Sequence, residues 1–410
     1  MRSLMLRLVG FTSAPVISAL APFILLPVIS RIVGADGWAN FSAGQSIGVL
    51  GMVAVMFGWG ILGPVRVARS STDRERAIIL HDSLRSRLAL ACIALPAAGA
   101  AAYLISGTSY RAETVAIAVA MAAGGLTPAW FCIGRGDARG LMIFDAAPKV
   151  VAAILSLPFL LVWGNVLSYP IFLFALTVPA YAVHAWLYAH SRWRDGQTPG
   201  RLAAVLRQLA GTAAIDATGN AYGSTSIPIA TAGLNSVDAS AFASADRAYR
   251  IGTLLVVAVG NALQAWTLDP EAADARARQR FAVLVHMLVG LVGGAAIAML
   301  GPWATAVVFG ADVAAAPIPS ALFGIAFVCI STATPLIRNL LIPAGRISVV
   351  LGSTVVAAVI GVTIMILGAL SRSAEVVALG VVSSETSALL VLVVPAVMAY
   401  RRLGGAQTRE

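Results

Sequence analysis

Charge is what this 410-residue chain has least of: 11% of its residues are charged, against 59% hydrophobic. A water-soluble domain of this size carries about 25% charged residues, so an aqueous globular enzyme is excluded. With three cysteines and four histidines in the whole sequence, a disulfide scaffold or a zinc centre has too few ligands to build on. Cys92, Cys132 and Cys329 each lie within an apolar run and read as small core residues. Lysine is nearly missing as well: Lys149 stands alone, and arginine supplies the rest of a net charge of +10.

What is present is apolar length. Mean hydropathy is +0.88, and a membrane span needs about 20 mainly apolar residues. That window predicts twelve spans: 8 to 30, 41 to 64, 88 to 106, 114 to 133, 142 to 164, 168 to 189, 208 to 231, 240 to 266, 281 to 300, 318 to 343, 347 to 370 and 376 to 399. The first run is long enough to span and lacks a clear cleavage site, so it is expected to be retained. Arginine and lysine stay on the cytoplasmic side. With the N-terminus inside, the inner connections hold 21 arginines and the outer ones Arg31, Arg111 and Arg372 alone. The basic balance therefore reflects topology, with both termini cytoplasmic. Arginines scattered over separate segments, without an aromatic platform, argue against nucleic acid as a partner. Trp38, Trp130, Trp163, Trp186, Trp193, Trp266 and Trp303 fall near predicted span ends, as an interfacial belt requires.

The longest hydrophilic connection is the inner stretch 65 to 87, and the largest outer one, 301 to 317, carries Asp312 as its only charge. Chemistry outside the membrane has no domain to occupy, which favours a transporter over an enzyme. The chain also looks doubled. Pro27 and Phe41 bracket the first outer turn as Pro228 and Phe242 bracket the fourth, the two pairs being offset by about half the chain. Six-helix lobes at 1 to 195 and 208 to 410, joined by a cytoplasmic linker at 196 to 207, follow from that repeat.

Four segments bear a family resemblance. The opening LPVISRIVGADGWANFSAGQSIG, the stretch LTPAWFCIGRGDARGLMIFDAAPKVV, the acidic-basic ASADRAYRI and the turn LLIPAGRISVVLG resemble, in order and spacing, polysaccharide flippases of the O-antigen (Wzx) type. These belong to the multidrug, oligosaccharidyl-lipid and polysaccharide (MOP) exporter superfamily. The chain departs from the pattern at Ile133, where the family often has Gln, and in its use of arginine for lysine. The resemblance implies an all-α membrane protein with two pseudo-symmetric six-helix bundles around a central cavity that opens alternately to either side. It also implies a bacterial inner membrane location. The implied cargo is an undecaprenyl-diphosphate-linked oligosaccharide for O-antigen, exopolysaccharide or capsule synthesis. Membrane lipids, a polysaccharide polymerase and assembly proteins are the implied partners.

Such a cargo needs cations and hydrogen-bond donors within the membrane, where an ionisable group costs at least ~2.5 kcal/mol and is a functional candidate by default. The candidates for substrate binding are Lys149, Arg247, Arg250 and Arg338; those for a polar cavity or ion coupling are Asp145, Asp216, Asn220, Asp246 and Glu385. Asp145 with Lys149, and Asp246 with Arg250, have the i,i+4 spacing of same-face pairs. That pairing leaves Arg247 and Arg338 as the unpaired cations and Asp216 and Glu385 as isolated acids able to bind H+ or Na+. His184 and His286 read as interfacial histidines, and Gly44, Gly48 and Gly51 as a packing seam. No metal and no organic cofactor is expected. Two other classes stay open. A cation-coupled drug or small-molecule exporter would favour acids, whereas the intramembrane tally is four of each sign; the loop signature of the major facilitator type is missing from GPVRVARSSTDRERA. The third class is a membrane enzyme of glycan assembly.

Overall fold

The computed structural model describes residues 2–189, 202–268 and 274–402, with the backbone alone at 2–23, 189, 215, 220–222 and 265. Arg192, Trp193, Arg194, Arg201 and Arg409, and the part of the expected linker at 196–201, lie outside the described residues. The described chain is helical and contains no strand. It is a polytopic all-α membrane protein.

The helices follow the twelve expected spans in order. α1 runs Arg2–Met56 and is interrupted at Gly34, whose φ of 56° and ψ of −159° only glycine adopts freely. That break, at the expected first turn, divides α1 into the arms of spans one and two. α2 (Trp59–Arg69) continues the second span beyond Phe57 and Gly58. Then come α3 (Asp73–Ile105), α4 (Arg111–Ala123), α5 (Ala129–Arg135), α6 (Ala138–Leu141), α7 (Ala147–Trp163) and α8 (Ser168–Ala189). The later helices are α9 (Leu202–Gly233), α10 (Ser236–Thr267), α11 (Ala275–Phe309), α12 (Pro317–Pro335), α13 (Ile347–Leu370) and α14 (Ala374–Arg402). Single π-turns at Met142–Ala146 and Leu336–Leu341 join α6 to α7 and extend α12.

Among the described residues nine helical stretches are long and apolar enough to cross a membrane, the first of them, Ile24–Arg69, running from the end of the first arm of α1 through its second arm and α2. α9 and α10 have the length but not the apolarity. A long helix with a polar face is what a lining helix looks like, because lipid tolerates no such face. Large apolar side chains such as Ile93, Leu104, Met299 and Leu370 point outward, which suits a hydrocarbon solvent. The stretch 65 to 87, expected as a hydrophilic connection, is mostly helix: α2 ends at Arg69 and α3 begins at Asp73 under a Thr72–Glu75 capping box.

Two compact units divide the chain, Met1–Ser224 and Thr225–Glu410. In the first, α1 lies against α4 so closely that a Cβ at Gly44 or Gly48 would strike Thr114 or Met121. The expected packing seam is thus real. A second core gathers Trp59, Val67, Leu80, Trp130, Phe131, Val205 and Leu209. In the second unit, α11 meets α12 at Gly294 and Gly324, and α13 meets α14 at Gly361 and Gly380; in each pair a Cβ on one glycine would fall within 2.8 Å of the other's carbonyl oxygen. Helix backbones approach this closely where hydrophobic drive is absent and dispersion must hold the helices together.

Candidate functional site

In the first unit the fourth span is broken. α4 tightens into a 3-10 turn at Gly124–Leu126, and Pro128, which has no N–H, precedes α5. The break frees carbonyl oxygens inside the membrane, and Arg87 of α3 satisfies them. Its Nη1 donates to Gly125 O at 3.1 Å and Thr127 O at 2.8 Å, its Nε to Ser83 Oγ at 2.8 Å, and its guanidinium lies over Trp130 at 5.5 Å. Arg87 is 1% exposed. Sequence reasoning counted it among the cations of an inner connection, yet it is a buried strut. The signal that could have found it is the GGLTP sequence opposite it.

Thr127 Oγ1 carries the network on, donating to Asp145 Oδ1 at 2.5 Å. Asp145, buried within the first π-turn, accepts from Lys149 Nζ at 2.9 and 3.0 Å. The expected i,i+4 pair therefore exists, and Lys149 is a partner of Asp145 before it is a cation for anything else. His184 is buried among Phe131, Phe144 and Tyr188, with ring centroids 4.6 to 5.5 Å apart, and its Nε2 is 3.7 Å from Cys132 Sγ. His184 and His286 are 1% and 0% exposed, packed inside the protein and facing neither lipid nor water. Trp38 and Trp130 are also buried, whereas Trp163, Trp186, Trp266 and Trp303 are exposed as a belt requires. Cys92 faces outward rather than into a core. Asp216 is half-buried on α9 and engaged by neighbours; the side chains of Asn220 and Tyr222 lie outside the described ones.

The second unit carries two polar clusters on one face of α10, with Leu254 and Val257 between them. Asp246, Arg250, Asn261 and Gln264 fall within about 60° of one another around the helix, with the ends about 27 Å apart along it. At the first end Arg250 grips Asp246 through Nε to Oδ2 and through Nη2 to Oδ1 at 3.1 Å, while Ser226 of α9 donates to Oδ1 at 3.0 Å. Arg247 is not a free cation either: it is engaged by neighbours and sits in the field of Asp246 and Arg250. Glu385 of α14 is not isolated, because Tyr249 donates to its Oε1 at 3.0 Å. At the far end Arg338, in the second π-turn, donates from Nη2 to Asn261 Oδ1 at 2.7 Å and Gln264 Oε1 at 3.1 Å. Both acceptors are neutral amides. Among the described residues Arg338 forms no ion pair, so its positive charge is solvated and not cancelled. π-turns recur at functional sites, and here each carries a candidate charge.

Beside this end, α11, α12 with its π-turn and α14 line an open groove of about 360 Å³, walled by apolar side chains together with Gln279, Arg280, Thr332 and Tyr400. Among the described residues no group of three His, Cys, Asp or Glu gathers as a metal site.

No protein-family model and no curated protein sequence matches the chain. Solved structures do. The fold is similar to that of the lipid II flippase MurJ in an inward closed conformation, at 10% identity and a TM-score of 0.69, over 95% of this chain and 87% of that one. It is similar to an inward-facing multidrug resistance MATE family transporter of the MOP superfamily at 14% identity and a TM-score of 0.63, over 96% and 99% of the chains. An outward-facing MATE family transporter follows at 16% identity and 0.57, over 98% and 96%. The chain thus has the fold of MOP superfamily transporters.

Proposed function

We propose that the protein is a flippase that carries a polyprenyl-diphosphate-linked oligosaccharide from the cytoplasmic to the outer leaflet of a bacterial inner membrane, for O-antigen, exopolysaccharide or capsule synthesis. It works as a transporter by alternating exposure to the two sides, and not as an enzyme. The observation that carries the reading is the pair of polar clusters on one face of α10, the far one at Arg338. They lie about 27 Å apart with Leu254 and Val257 between them, and the far one, a guanidinium with only amides to hold it, suits a cargo with an anionic diphosphate. Arginine binds phosphate through two oxygens at once, and the prenyl tail can stay in lipid throughout. Membrane lipids surround the carrier, and a polymerase and assembly proteins would take over its product. Asp145, Asp216, Asp246 and Glu385 supply the acids for coupling to H+ or Na+.

The lipid II flippase among the similar structures favours a lipid-linked cargo; the MATE transporters favour the second reading, a cation-coupled exporter of small molecules. Removal of the protein separates the two. A flippase leaves the lipid-linked oligosaccharide at the inner leaflet and depletes surface glycan; an exporter changes drug accumulation and leaves the glycan intact. In the complemented strain, Arg338→Gln should reduce surface glycan about tenfold or more per folded transporter, and Arg338→Lys should recover part of it. Unchanged export per folded molecule in Arg338→Gln would remove the cationic site from the mechanism.

A further inference from the structure

The open groove of about 360 Å³ in the second unit has walls from three elements: Leu284 from α11, Leu336 and Leu340 from the π-turn, and Val393 and Val397 from α14. A spacing of four keeps each pair on one helix face. The apolar surface continues past the rim, where Leu288, Val394 and Met398 are all exposed. A groove opening on water would not be bordered in this way, so its mouth faces hydrocarbon.

One end of the groove is basic. Arg280 lines it and is exposed, and Arg276 stands one turn earlier on the same face of α11. Arg276 Nη2 donates to the carbonyl oxygen of Arg401 at 2.8 Å, and the Tyr400 hydroxyl donates to the carbonyl oxygen of Arg276 at 3.5 Å. These bonds draw the start of α11 to the end of α14, where Arg401 and Arg402 are exposed. Among the described residues none of the four guanidiniums forms an ion pair. Asp274, the acid one turn further back, is taken by Arg278 at 2.8 Å.

An apolar groove that ends among arginines fits an amphiphile with an anionic head, because basic pockets between spans collect acidic head groups at the cytoplasmic face. The distribution of arginine places this end at that face. The groove is also separate from the Arg338 cluster. Leu336 and Leu340 are each two residues from Arg338, about half a turn round the helix, so groove and cluster lie on opposite sides of the same π-turn. A head group at Arg280 is therefore not one held by Arg338.

We propose that the groove holds a resident anionic phospholipid of the cytoplasmic leaflet, one acyl chain lying between α11, the π-turn and α14 and its phosphate on Arg280, ringed by Arg276, Arg401 and Arg402. This lipid is not cargo: it braces, from behind, the π-turn that carries Arg338. The site is independent of which molecule is transported.

Native mass spectrometry of the purified full-length protein tests the site, with dioleoyl phosphatidylglycerol and dioleoyl phosphatidylcholine as probes that differ in head group alone. One phosphatidylglycerol per chain should be retained about tenfold more tightly than phosphatidylcholine. Arg280→Gln should abolish that preference, and Arg280→Lys should keep most of it, since a single head group needs the charge more than the fork. Val397→Trp fills the groove without removing a polar group and should weaken phosphatidylglycerol binding about tenfold. Arg280 and Val397 are exposed, so both variants should melt like the lipid-free parent. Phosphatidylglycerol should raise the melting temperature of the parent and of Arg74→Gln, which removes an exposed cation of α3, but not that of Val397→Trp. Equal retention of the two lipids, or a preference that survives Arg280→Gln and Val397→Trp, would overturn the proposal in favour of ordinary solvating lipid. Two further results would overturn it: tighter retention of undecaprenyl phosphate than of phosphatidylglycerol, which would give the groove to a prenyl tail, and a lipid-free dimer split by Val397→Trp, which would make it a contact between copies of this chain.

Discussion

At the scale of single residues, the charges within the spans divide into those that hold the protein together and those left over. Arg87 holds. Arg87→Met would strip the carbonyls of Gly125 and Thr127 of their donor in one step, and should destabilise the fold by about 3 kcal/mol or more, read as a lower melting temperature in detergent. Asp145 and Lys149 pose a sharper question. Lys149→Met leaves a buried carboxylate without its cation and should cost about 3–5 kcal/mol, whereas replacing both partners by apolar residues restores most of the stability. If the double variant Asp145→Leu/Lys149→Met melts like the parent and still exports glycan, the pair is structural. A stable but inactive double variant gives it a part in coupling. The i,i+4 spacing predicted the pair. It could not predict Thr127 or Arg87, because those contacts depend on a helix break whose free carbonyls have no sequence partner at a fixed distance.

At the scale of elements, two glycines separate backbone strain from packing. Gly34 has a conformation closed to other residues, and a Cβ there would meet nothing within 4 Å. Gly34→Ala should therefore cost about 1–3 kcal/mol from φ and ψ alone. Gly324 is helical, but its Cβ would lie 2.5 Å from the carbonyl oxygen of Gly294. Gly324→Ala should cost a similar ~1–3 kcal/mol by forcing α11 and α12 apart, and a disulfide trap across that helix pair would register the separation where Gly34→Ala would not. Helix positions were legible from apolar length because lipid demands it. The breaks were less so: two π-turns and the 3-10 turn at 124–126 insert or remove part of a turn without interrupting hydropathy. Asn261 and Gln264 carry no formal charge to mark them, and His286 reads from the sequence as an interfacial histidine. Only the placement of α10 against α11 and the π-turn brings them to Arg338.

At the scale of the whole molecule, the distribution of arginine predicts both termini on the cytoplasmic side, with 301 to 317 outside. A reporter fused after Arg402 should register inside; registration outside would reverse that orientation. The chain's scarcity of lysine has a use of its own. Lys149 is the sole ε-amine in 410 residues, and it is bonded to Asp145 with 24% of its side chain exposed. Reductive methylation with ¹³C-formaldehyde would tag one side chain besides the α-amine, so the native sequence already contains a single-site spectroscopic label within the membrane. Its chemical shift would follow the ionisation of that ammonium through a transport cycle, with no residue replaced.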